Sequence, residues 1–288
     1  MSAVGRRFLI VTADDFGLHE AVNDAVERAA AAGILTAASL MVGEAAAGDA
    51  VRRARALPGL RVGLHLVLAD GRASLAARSI PALVDGEGRM DSRMFARALR
   101  FFASPTVRRQ LQAEIRAQFA AFARTGLRLD HVNAHKHFHL HPTLLTMLLE
   151  IGAEYGLKAV RVPAEPLWFA RRCGGWSAGA AAALLRPWIA LMKRRLRAAG
   201  MLYNDQLFGV AASGAMDEAK IMEVAARLPP GVTEVYLHPA SVSGGRIAPA
   251  MHDYRHTDEL AALLSPRVLA ALDTARIRRG GFADVPQP

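Results

Sequence analysis

The chain has 288 residues, of which 52% are hydrophobic and 22% charged, with a formal net charge of +10. Such a length holds one large domain or two small ones around a substantial core, and the composition excludes a disordered chain. No run of about eighteen apolar residues is free of charge, which excludes a membrane-spanning helix by pattern, and no zinc-finger, basic-zipper or aromatic RNA-binding pattern accompanies the positive charge, so no nucleic-acid partner is expected.

The opening MSAVGRRFLIVTADDFG has two arginines before an apolar run. That run meets Asp14 and Asp15 too soon for a signal peptide and reads as the first strand of the mature domain. Strand patterns cover Arg7 to Ala13, Thr36 to Val42, Arg61 to Leu68, Leu129 to Asn133, Ala159 to Val162 and Val232 to Leu237. Helical patterns cover Glu20 to Ala32 and roughly 44–57, 105–124, 142–155, 178–198, 215–228 and 257–273. The alternation predicts βα units around a mostly parallel sheet, closed as a barrel or left open, in one domain. Residues 70–104 break it, with Gly71, Pro81, Gly86 and Gly88 as turn formers, and suggest an excursion over one face. The tail GGFADVPQP reads as a last short strand or a loose end. Cys173 is the single cysteine, so no intrachain disulfide forms and a reducing, cytoplasmic location is expected. It has no paired base in sequence to make it a nucleophile.

Ligands of βα folds bind at the carboxyl ends of strands. Four such ends here carry polar groups: Asp14 and Asp15 after the first strand, His65 on the third, His135 after Leu129 to Asn133, and His238 after TEVYL. Asp15, His65 and His135 are assigned to one divalent metal ion, zinc or magnesium, because one carboxylate and two neutral imidazoles leave open positions for water. Asp14 is then placed to accept a proton from water, provided the chain turns at Phe16 and Gly17, since neighbours on a strand face opposite ways. His238 suits protonation of a leaving amine or an oxyanion, and equally suits a buried imidazole bonded to backbone.

The run HVNAHKHFHLH places His131, His135, His137, His139 and His141, five of the ten histidines, within eleven positions. If extended throughout, residues 131, 133, 135, 137, 139 and 141 share one face. One strand cannot bring five ligands to one ion, so the others orient ligands, line the pocket or satisfy backbone groups. His141 before Pro142 reads as a helix entry. Arg161, His137, His139, Asn133, Lys136, Asn204 and Asp205 are the further candidates for substrate contact or support, with a self-bonded turn the simpler account of Asn204 and Asp205. His19, His252 and His256 give no catalytic signal.

The blocks TADDFG (12–17), GLHLVL (63–68), HVNAHKHFHLHP (131–142) and YLHPA (236–240) resemble the YdjC-like carbohydrate deacetylases, which include chitooligosaccharide deacetylase; the likeness runs from Phe8 through YRHTDELAALLSP (254–266). It implies a single-domain deformed (β/α) barrel over 1–288, with a lid-like excursion at about 70–104. It also implies an aspartate base at Asp14, ligands at Asp15, His65 and His135, a metal-activated water as nucleophile and a proton donor at His238. Asn133 and Lys136 stand where the family wording has an aspartate and a histidine, which removes an orienting carboxylate and adds positive charge. Within the family, ADDFGLHEAVNDAVERAAAAGILTAASLMV, NAHKHFHLHP and LYNDQLFGV look most like the hopanoid biosynthesis-associated branch, HpnK.

That likeness implies removal of acetate from an N-acetylglucosaminyl hopanoid. Residues 184–202, LLRPWIALMKRRLRAAGML, are compatible with it, since a basic amphipathic segment can lie against the inner face of the cytoplasmic membrane. An ordinary outer helix of the barrel is the alternative, and a homodimer is a further candidate assembly. The rival functions are chitooligosaccharide deacetylation, another hydrolase on the same barrel, and a non-enzymatic sugar-lipid binding module.

Overall fold

The computed structural model describes residues 7–90, 104–243, 245 and 247–286. Its strands are β1 (Arg7–Phe16), β2 (Ala37–Leu40), β3 (Arg61–Leu66), β4 (Val132–Ala134), β5 (Gln206–Phe208), β6 (Gly231–Leu237) and β7 (Arg278–Arg279). They pair in the order β4-β3-β2-β1-β6-β5, with β7 beside the start of β1. All these pairings are parallel. Beyond β4, Val132 bridges Val160 and Ala159 bridges Leu202. The Leu207 amide donates to the Ala164 carbonyl at 3.1 Å, which leads the path back to β5, β6 and β1. The sheet thus curls into a deformed barrel, as the resemblance implies, where the alternation alone leaves a closed barrel or an open sheet. The strand expected at Ala159 to Val162 survives only as those two bridges. Pro163 has no amide to continue a ladder, and the Asn204 side chain takes both the amide and the carbonyl of Val162 at 2.7 Å.

A period of two decides what faces the barrel interior. Leu9, Val11 and Ala13 of β1 pack in the large core against the helices, with Val62 and Leu64 of β3 and Val132 and Ala134 of β4. The alternate residues Phe8 and Ile10 pack with Ala37, Ala159 and Phe282 in a separate apolar floor. Above that floor the same inward positions become polar: Thr12 and Asp14, Ser39, His65, His131 and Asn133, Arg161 and Glu234 are all buried and joined by hydrogen bonds.

Eight α-helices are described: α1 (Glu20–Ala32), α2 (Ala47–Arg55), α3 (Pro105–Arg124), α4 (Pro142–Glu154), α5 (Leu167–Ala198), α6 (Glu218–Ala226), α7 (His256–Leu263) and α8 (Pro266–Thr274). Ser104 caps α3, accepting from the Val107 amide, with Pro105 in the first turn. The single helix expected over 257–273 is two, because the Ser265–Pro266 pair both ends α7 and caps α8. The helix expected at 178–198 starts at Leu167 and is broken at Gly175, whose φ of 69° is open to glycine. The tail after β7 is a short 3-10 turn, Phe282–Asp284, and not a strand. Within the excursion, Arg72 pairs with Arg89 and Val84 with Met90; its remainder, 91–103, lies outside the described residues.

Candidate active site

The end of β1 makes the turn that the adjacent aspartates require. Asp15 has φ 62° and Gly17 φ 93°, and the β1–β2 register shifts between Ala13 and Phe16. Aspartate tolerates the left-handed region better than most residues. One residue in that conformation swings Asp15 back to the face that Asp14 already occupies. Both side chains are consequently buried at the carboxyl end of the barrel.

Asp15 Oδ1 lies 3.3 Å from His65 Nε2 and 3.2 Å from His135 Nδ1, and one ligand atom from each residue falls within 4.8 Å of the others. Both Asp15 oxygens and His65 Nε2 are buried without a hydrogen-bond partner. Buried polar atoms are normally paired, so this convergence of unsatisfied acceptors fits a cation. Burial pushes the Asp15 carboxyl up, but His135 and His65 outweigh it and hold it well below the usual range. His135 is disfavoured as a cation by burial and favoured by Asp15, with the net shift upward. A cation bound there would compete with the proton, so its affinity would fall as pH falls.

His65 is aimed by Asn133, whose Oδ1 accepts from His65 Nδ1 at 2.7 Å. That bond leaves the Nε2 lone pair facing Asp15. Asn133 thus fills the orienting role whose loss the sequence suggested, as an amide in place of a carboxylate. Its Nδ2 donates to Asp14 Oδ1 and to Ser39 Oγ, each at 3.1 Å.

Asp14 is held from its other side by Arg161, which donates from Nη1 to Asp14 Oδ2 at 2.5 Å and from Nη2 and Nε to Glu234 Oε1 at 2.7 and 3.0 Å. Thr12 donates to the same Glu234 oxygen. Burial pushes Asp14 up, but the Arg161 guanidinium, with His65 and His238, holds it well below the ordinary carboxylate value. Glu234 is the functional neighbour that the sequence reading missed, although a charged residue inside the apolar run TEVYL is a signal for a buried ionic partner.

His238 lines a pocket of about 160 Å³ with Asp14, His65, His135, Tyr236 and Tyr254. Its Nε2 is 3.9 Å from Asp15 Oδ2, its amide donates to Glu259 at 2.5 Å, and its carbonyl accepts from His256 Nδ1 at 2.5 Å. The backbone of His238 is therefore fixed while its ring faces the pocket. Burial lowers its pKa against the pull of Asp15 and Asp14, so the ring rests neutral.

The histidine run does not stay extended. The strand ends at Ala134, Lys136 and His137 take φ 54° and 56°, and a tight 3-10 turn follows. The common face expected for 131–141 accordingly stops at His135. Lys136 reaches Asp70 in an ion pair at the pocket rim, and His137 faces the Tyr236 hydroxyl at 3.2 Å. His139 bonds the Arg161 carbonyl at 2.9 Å, and burial drives its pKa down to about 3. His141 occupies the N-cap position of α4. Asn204 and Asp205 are not brought to this pocket: Asn204 clips Val162, and Asp205 accepts from the Val232 amide. Cys173 lies on α5, where burial raises its pKa.

An open donor set of one carboxylate and two imidazoles at the carboxyl ends of parallel strands distinguishes hydrolytic metal sites from closed structural ones. The class is that of an α/β barrel whose strand ends bring Asp15, His65 and His135 together as a candidate metal site beside an ion-paired aspartate. More particularly, the family model described as YdjC-like protein matches residues 8–274, and the chain belongs to that family. A carbohydrate deacetylase of Geobacillus stearothermophilus is 27% identical over 267 residues, covering 92% of this chain and 93% of that one. A carbohydrate deacetylase of Brevibacillus brevis is 39% identical over 160 residues, covering 56% of this chain and 59% of its own length. A chitooligosaccharide deacetylase of Serratia marcescens is 32% identical over 152 residues, covering 52% and 58%. Alignment with the Brevibacillus and Serratia relatives therefore spans under two thirds of either. The fold matches the crystal structure of a proposed cellobiose-phosphate cleavage protein of Enterococcus faecalis V583, with TM-score 0.77 at 21% identity over 98% of this chain and all of that one.

Proposed function

We propose that this chain is a metal-dependent carbohydrate N-deacetylase, hydrolysing the acetamide of an amino sugar to acetate and a free amine. The observation that carries the reading is the convergence of Asp15, His65 and His135, with both Asp15 oxygens and His65 Nε2 unpaired, beside an Asp14 that Arg161 keeps ionised. A divalent ion bound by those three residues would polarise the acetamide carbonyl and make water more acidic. Asp14 accepts the proton of the attacking water through the carboxylate that Asn133 and Arg161 hold in place. The departing nitrogen takes up the proton that Asp14 accepted, relayed by the neutral His238 on another wall of the pocket. Tyr236, the His137 it touches, and Tyr254 shape the walls around the acetyl group.

The finer reading is an acetylated sugar carried on an apolar aglycone, with an N-acetylglucosaminyl hopanoid as the example that the sequence likeness suggests. A cavity of about 670 Å³ supports it, lined by Ala164, Leu167, Trp168, Leu185 and Ile189 under α5. Val210 lines both this cavity and the catalytic pocket. α5 also exposes Trp176, Leu184, Trp188 and Leu191, and Arg186 and Arg194 are exposed on the same helix. A surface of this kind suits contact with a lipid headgroup region. Among the described residues no helix is long and apolar enough to cross a membrane. Chitooligosaccharide is the second reading, favoured by the name of the Serratia marcescens relative.

Mass spectrometry on N-acetylated chitooligosaccharides and on methyl to octyl N-acetylglucosaminides, with and without chelator, separates these readings. Loss of one acetyl mass only in the unchelated reaction is expected, with kcat/KM rising up to roughly fourfold per added methylene as the aglycone enters the cavity. Equal rates for all chain lengths would favour the chitooligosaccharide, and no loss of acetyl from any of them would overturn the deacetylase.

A further inference from the structure

Behind the pocket, a chain of buried polar side chains runs from the barrel floor to the catalytic aspartate. Asp130 begins it, accepting from the amides of Phe282 and Ala283 at 3.1 and 2.9 Å and from His131 Nδ1 at 2.9 Å. The other nitrogen, His131 Nε2, lies 3.0 Å from Ser39 Oγ, and Ser39 accepts from Asn133. Asp130, His131, Ser39 and Asn133 are all buried, His131, Ser39 and Asn133 completely.

The space for this chain is built into the strands. A Cβ at Gly63 would stand 2.5 Å from the His131 ring, so the imidazole crosses β3 only because that residue is glycine. Phe282 packs on the ring, with centroids 5.1 Å apart. Acid, imidazole and hydroxyl in line resemble a nucleophilic triad. Ser39 is wholly buried, however, and is absent from the lining of the catalytic pocket, so attack on a substrate is excluded and positioning remains.

We infer that His131, anchored by Asp130, is a positioning residue that sets the direction of every hydrogen bond up to His65 and Asp14. The inference rests on the metal-site reading of Asp15, His65 and His135. Two carboxylates, Asp130 and Asp14, close the ends of the chain and can only accept. With Nδ1–H given to Asp130, His131 Nε2 accepts the Ser39 hydroxyl proton. Ser39 then has only lone pairs left for Asn133, which must turn its NH2 toward Ser39 and Asp14. The Asn133 carbonyl is left to face His65 and takes its Nδ1–H, which keeps the proton off Nε2, the atom beside Asp15. Reversing the amide would set oxygen against the Asp14 carboxylate and let His65 carry its proton on Nε2, where a ligand lone pair is needed. An asparagine requires this control because its two ends differ, whereas an aspartate would accept from His65 in either orientation.

The test uses full-length protein, stripped of metal and labelled with ¹⁵N in histidine, with ring nitrogen shifts reporting the His65 tautomer. Wild type should carry the His65 proton on Nδ1; a proton on Nε2 overturns the inference without any variant. His131→Phe, which keeps a ring between Gly63 and Phe282, and Ser39→Ala, which removes only the hydroxyl, should each mix the tautomers. Each should also weaken binding of Zn²⁺, read by chelator competition, on the order of tenfold, and lower kcat with KM little changed. A variant that folds and retains wild-type tautomer and Zn²⁺ affinity overturns it. Absence of deacetylation by wild type would instead sink the substrate reading and leave these two readouts intact.

Discussion

The catalytic interior and the α5 flank of this barrel are organised by opposite means. Around Asp14, most polar atoms are spent on a named partner at 2.5 to 3.1 Å, and the unpaired Asp15 oxygens and His65 Nε2 meet in one cluster with His135. On α5, large apolar side chains face solvent, with Trp176 82% and Leu184 83% exposed. Directional bonds fix atoms that must meet a reacting carbon within a fraction of an ångström. Apolar area is non-directional and tolerant of shape, which suits the part of a substrate that is held and not changed. On the proposed function, the difference separates chemistry from recognition within one molecule.

The comparison breaks most severely at Asp15. Asp15→Ala should lose the ion, measured by elemental analysis, and lower turnover by at least about 10⁴-fold, since ion and polarisation disappear together; full metal retention would remove it from the ligand set. Asp14→Asn should keep the ion and the fold while lowering kcat by about 10²- to 10⁴-fold. Arg161→Met leaves Asp14 and Glu234 buried without their cation. A loss of about 3–5 kcal/mol in urea unfolding is expected, and an unchanged midpoint would show that the carboxylates find another partner.

The smallest effect concerns Glu259, which holds the His238 and Met216 amides. Burial pushes its carboxyl up to about 8 against those amides, whereas the unfolded value is about 4.3. The folded state thus binds this proton more tightly than the unfolded one. Its contribution is full below the unfolded value and is lost as pH rises toward about 8. Tm of wild type should fall by several degrees between about pH 5 and pH 8, and Glu259→Gln should flatten that fall.

The sequence made the strand ends legible, because Asp14, Asp15, His65, His135 and His238 each interrupt or end an apolar run. It also showed that Asp14 and Asp15 require a turn between them. What stayed hidden depends on pairing across the barrel. Arg161 could be singled out, but Glu234 as its partner follows only from β6 lying beside β1 and the 159–164 segment closing against β5. The role of Asn133 was read as a loss because a sequence shows which side chain is present and not which atom faces His65. Residues 131–141 share one face only if extended throughout, and two left-handed residues, Lys136 and His137, change the direction of everything after His135. β5 was missed because three residues give too short a pattern.

The most direct measurement is an anomalous difference map from crystals grown with Zn²⁺. A single peak bonded to an Asp15 oxygen, His65 Nε2 and His135 Nδ1 at about 2.0–2.2 Å is predicted. No density at that point, in a protein that releases acetate at full rate after chelation, would contradict the account.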